Sequence, residues 1–88
     1  MKLTLHQKNV LKADLTTHLA KIRDLLEERI DRETATIDYL EAQARAYPVP
    51  HVDQFTYHDR LKQTKAVVKE LEAERGRTVS MLDRVKRL

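Results

Sequence analysis

The only two prolines of the chain, Pro48 and Pro50, stand two residues apart between two long segments in which apolar residues recur every three or four positions. A residue ahead of proline is pushed out of the α region, and proline itself lacks the N–H that a helical ladder needs. Two helices with a break near residue 47 are therefore the frame within which any fold must be found. From Leu15 the first segment places Leu19, Ile22, Leu26, Ile30, Ile37, Leu40, Ala44 and Tyr47 along one stripe, with Glu33 in the one polar slot. Its two consecutive four-residue steps, 22–26–30, are a stutter that locally unwinds a strict heptad. The second segment alternates threes and fours without a gap through Tyr57, Leu61, Thr64, Val68, Leu71, Arg75, Thr78, Leu82 and Val85.

Composition narrows the class to all-α. One glycine in 88 residues and 35% charged residues fit long helices better than a sheet with many turns. The spacing predicts helix 1 over about 4–46, a connector over 47–53 and helix 2 over about 54–87. Thr4-x-x-Gln7 has the spacing of a capping box at the first helix, and Asp53 or Thr56, the latter with Asp59, could open the second. A connector of about six residues joins antiparallel neighbours, so the expected fold is a single coiled-coil-like hairpin domain.

Register follows from matching the stripes. Residue pairs whose numbers sum to 101 set Leu40 against Leu61, Ala44 against Tyr57, Ile30 against Leu71, Ile22 against Val79 and Leu19 against Leu82. Charge agrees at the level of blocks: residues 1–23 carry +4, residues 24–53 carry −5 and residues 54–88 carry +4. Individual pairs expected from this register are mixed: Arg60 with Glu41, Arg77 with Asp24 and Arg87 with Asp14 are favourable, whereas Asp31 with Glu70 and Glu27 with Glu74 are not. It also sets Leu25 across from Gly76, where the glycine either admits a large neighbour or is simply exposed.

Two features reach beyond one hairpin. Val67, Val79, Met81 and Leu88 widen the apolar face of helix 2 past a two-stranded stripe, and a wide face suits a bundle of three or four helices. Helix 2 ends opposite Ala13, so residues 1–12, with Leu3, Leu5, Val10 and Leu11, project past it and either extend helix 1 or fold back. Self-association into a homodimer, or capture of another protein, is the expected use of Leu3, Leu5, Val10, Leu11, Val67, Val79 and Met81.

Chemistry is sparse. With no cysteine, disulfides, zinc thiolates and cysteine nucleophiles are excluded. His51, Asp53, His58 and Asp59 gather near the bend but lack the spacing of a metal-ligand set, and neither a metal nor a cofactor is expected. The stretch AYPVPHVD shares a Pro-Val dipeptide after a long helix with the helical chorismate mutases. That family needs a substrate-binding lysine ahead of the loop, and none occurs between Lys21 and Lys62, so the likeness is superficial. No nucleophile with a base, phosphate-cradling glycine loop or paired carboxylates stand out, and no enzyme activity is expected.

Lys62, Lys65 and Lys69 form one basic stripe, while Arg84, Lys86 and Arg87 crowd the C-terminal end with Lys2, Lys8 and Lys12. Such clusters bind phosphates without reading sequence, yet no stacking aromatics or groove-reading motif accompany them. The expected function is therefore protein–protein interaction in an adaptor, assembly or inhibitor role, with RNA or DNA binding through the basic faces as the alternative. No segment approaches a membrane span and the N-terminus lacks the apolar run of a secretory signal, which points to a cytoplasmic protein with no membrane partner.

Overall fold

The computed structural model describes residues 2–46 and 52–88, with the backbone alone for residues 52–55. Helix α1 spans Leu5–Ala46 and helix α2 spans Val52–Lys86, and the two pack side by side. The 42 residues of α1 correspond to about 63 Å at 1.5 Å per residue, and the molecule measures 68 × 17 × 15 Å. It is a rod two helices wide.

The capping box at the N-terminus forms as its spacing implies. The Thr4 N–H donates to Gln7 Oε1 at 3.0 Å and the Gln7 N–H donates to Thr4 Oγ1 at 3.1 Å. Two of the N–H groups that a helix start leaves without intrahelical partners are thereby satisfied. Residues 5–12 continue α1 without a fold-back, which resolves the two readings of that segment in favour of extension.

At the other helix start the expectation needs correction. Helix α2 begins at Val52, inside the span read as connector, and Thr56 is one turn into the helix instead of at its cap. From Val52 onward no residue lacks an N–H or requires a left-handed backbone, so nothing in the chain delays the helix until Thr56. The stiffness of the connector and the placement of Tyr47 and His51 lie outside the described residues.

The buried seam follows the two stripes. Leu19, Ile30, Leu40 and Ala44 of α1 and Leu71, Thr78, Leu82 and Val85 of α2 are buried, with Leu40 and Thr78 the most enclosed at 1% exposure each. Leu15, Ile22, Leu26, Ile37, Tyr57, Leu61, Thr64 and Val68 are half-buried along the same lines. Leu19, Leu82 and Val85 form one cluster with Leu15 packed against it, which is the antiparallel register at that end. Lys12 Nζ donates to the Leu88 carbonyl at 3.3 Å, fixing the same register one turn beyond.

One stripe position departs from the seam, and one pair expected from the register does not form. Arg75 is exposed, and Val79, set against Ile22 by the simple sum, is turned outward at 38% exposure while its neighbour Thr78 takes the buried place. Threonine fits a helix seam because its hydroxyl can return to its own helix. The hydroxyls of Thr64 and Thr78 donate to the carbonyls of Arg60 at 2.7 Å and Glu74 at 3.0 Å. Their polar atoms are then satisfied locally, leaving the methyl groups free to pack.

Candidate interaction surface

Surface chemistry follows from how the two helices expose their flanks. In α1, residues seven apart drift by about 20° per heptad, and Leu11, His18, Leu25, Arg32 and Tyr39 form a slowly turning line that starts beside the seam and moves away from it toward Tyr39. All five are exposed, Leu25 at 55% and Tyr39 at 57%. In α2 the corresponding line is Val67, Glu74, Met81 and Leu88, half-buried at Val67 and exposed at the rest.

An antiparallel pair is related by a two-fold axis normal to its plane, so equivalent flanks of the two helices open on the same side. The grooves agree with this. Leu11 and Leu88 line one with Lys2, Leu3 and Lys8, and Arg29 lines another with Val67, Glu70, Leu71 and Glu74. At nearly equal heights along the rod, two residues off the register sum, the face pairs Leu11 with Leu88, His18 with Met81, Leu25 with Glu74, Arg32 with Val67 and Tyr39 with Arg60. An apolar side chain occurs at every level.

The opposite face is polar. Lys65 reaches across the helices to Glu41, Nζ to Oε1 at 3.3 Å, in a pair exposed on both sides. Such a pair contributes about 0–1 kcal/mol. Glu41 thus pairs with Lys65, one turn beyond the expected Arg60, because a lysine stem spans that turn. Arg77 bonds Glu74 on its own helix instead of Asp24 across the hairpin, while Asp24 accepts from its neighbour Arg23 at 3.0 Å. Neighbours on one helix meet at lower entropic cost than long side chains reaching across.

The expected contact residues consequently divide. Leu3, Leu5, Val10 and Leu11 are exposed at the end where α1 outruns α2, Leu5 at 75%. Val67 and Met81 belong to the apolar face, and Val79 lies on the polar side with Lys65. Lys62, Lys65 and Lys69 are exposed, Lys65 being engaged with Glu41. Arg84, Lys86 and Arg87 are exposed at the same end as Lys2 and Lys8. His58 and Asp59 are exposed, and the side chains of His51 and Asp53 lie outside the described residues.

No protein-family model matches the chain, and neither a curated protein nor a solved structure is significantly similar to it.

Sequence reasoning missed Leu25 and Tyr39 as surface candidates. Their signal was the seven-residue line through Leu11, which the stronger seam beside it obscured. Of the two readings of Gly76 the exposed one holds: an added Cβ would meet nothing within 4 Å, so the glycine does not accommodate Leu25. Among the described residues no helix is long and apolar enough to cross a membrane.

Proposed function

We propose that the protein works without catalysis, by protein–protein interaction, as an adaptor, assembly or inhibitor module. The observation that carries this reading is the exposed apolar end formed by Leu3, Leu5, Val10, Leu11 and Leu88. Burying side chains of this kind is worth about 1.5–3 kcal/mol each, and together they supply the apolar centre that a contact surface needs. Lys2, Lys8, Lys12, Arg84, Lys86 and Arg87 surround them, giving that centre a polar, cationic rim.

The test compares the full chain with the double variant Val10→Asp, Leu11→Asp as immobilised baits in an extract of the source cells. A protein retained in stoichiometric amount by the full chain and reduced at least tenfold by the variant supports the reading. Equal retention, or none, contradicts it. The clustering of six cations at one end favours a second reading, in which the same end contacts nucleic-acid phosphates. That reading requires affinity for a labelled oligonucleotide that falls steeply as salt rises.

A further inference from the structure

We propose that the apolar face carrying Leu11, Leu25, Tyr39, Val67, Met81 and Leu88 is covered by a second copy of the chain, the two copies being related by a two-fold axis along the rod. The inference rests on the interaction reading and deepens it by naming the occupant and its orientation.

Area calls for a cover of this size. A compact domain of 10.3 kDa exposes about 5,400 Å² and has a radius of gyration near 12 Å. This chain exposes 7019 Å² with a radius of gyration of 20.1 Å. The excess of about 1,600 Å² is roughly twice the 800 Å² that each partner contributes to a stable interface of ordinary size.

Charge selects both the occupant and its direction. With the axis along the rod, α1 of each copy lies on α2 of the other at equal height, and every neighbouring pair of helices runs antiparallel. Leu11 then meets Leu88 of the second copy, and Tyr39 meets Arg60 of the second copy, where a guanidinium over a ring is attractive. Arg29 meets Glu70 of the second copy, an opposite-charge contact between residues that line the same groove in each chain. With the axis across the rod and centred on Leu25, Glu74 would face Glu74 of the second copy. Like charges set against each other in an interface disfavour that arrangement.

Because the chain has no cysteine, a single introduced thiol reports the orientation. Ala42 is exposed and near the connector end, and the variant Ala42→Cys can be labelled separately with donor and acceptor and the two pools mixed. The axis along the rod puts the two labels within roughly two helix diameters, about 20–25 Å. The axis across the rod separates residue 42 from its counterpart by about 50 Å at 1.5 Å per residue. High transfer at micromolar concentration is expected, and it should fall at least tenfold in apparent affinity when Leu25→Asp and Met81→Asp are added.

Both residues of that pair are exposed in the single hairpin, so helicity read by circular dichroism on the same sample separates lost association from lost folding. Association with little transfer overturns the orientation, and undiminished transfer in the aspartate variant overturns the face. Absence of association at high helicity overturns the second copy as occupant. Because Leu11 belongs to both surfaces, the capture experiment is repeated with Leu3→Asp, Val10→Asp, which leaves this face unchanged, so that its failure and the failure of the second copy as occupant are told apart.

Discussion

Replacing Gly76 by alanine should stabilise the protein. The glycine lies inside α2, far from either end, and an added Cβ meets no atom within 4 Å. No steric cost opposes the change. Alanine is favoured over glycine in a helix interior by about 0.8–1.0 kcal/mol, largely because the unfolded chain loses conformational freedom. A domain of this size shifts its midpoint by roughly 4–8 °C per kcal/mol, so a rise of about 3–8 °C is expected. In a two-chain assembly the change enters twice, and the stabilisation per assembly becomes about 2 kcal/mol.

Urea unfolding followed by circular dichroism at 222 nm gives the free energy, and an unchanged dependence on urea shows that the unfolded state has not become more compact. Gly76→Leu sharpens the test, because leucine has good helix propensity and far more bulk. Both variants should be more stable than the parent. If alanine is tolerated and leucine is strongly destabilising, something packs over Gly76 and the open environment assigned to it is wrong. If both destabilise, the propensity argument itself fails.

Two further outcomes follow from the seam. Cysteines placed at Leu40 and Leu61 should form an intramolecular disulfide on mild oxidation while Leu40 with Val79 should not, as read by non-reducing electrophoresis; the reverse would refute the register. Thr78→Val should lie within about 1 kcal/mol of the parent, since the lost hydroxyl served only a carbonyl of its own helix, whereas Thr78→Ala should lose about 1–2 kcal/mol by opening space at a fully enclosed site.

The parts of this structure legible in the sequence are those governed by one strong, repetitive signal. The stripes from Leu15 to Ala44 and from Tyr57 to Val85 gave the seam and its antiparallel register, because a three-four pattern over many turns has one consistent match. Thr4 and Gln7 gave the first helix start because two complementary side chains must both be at fixed offsets. The start at Val52 was hidden by Thr56 and Asp59, which have capping chemistry but lie where the backbone is already helical. Ion pairs were misassigned at Glu41 and Arg77 because long side chains choose among several neighbours at nearly equal energy. Thr78 is buried where its stripe puts it, because its hydroxyl is satisfied within its own helix, and only the pairing of Ile22 with Val79 from the simple sum fails.

Sedimentation equilibrium of the unmodified chain at micromolar concentration tests the central claim, that the exposed apolar surface of the rod is an interface. The account predicts a helical species of about twice the 10.3 kDa chain mass. Dilution should dissociate it, and Leu25→Asp with Met81→Asp should reduce it to single chains. A species of single-chain mass that stays fully helical and unfolds cooperatively at the same concentration would contradict the claim, because the hairpin would then be sufficient with that surface bare.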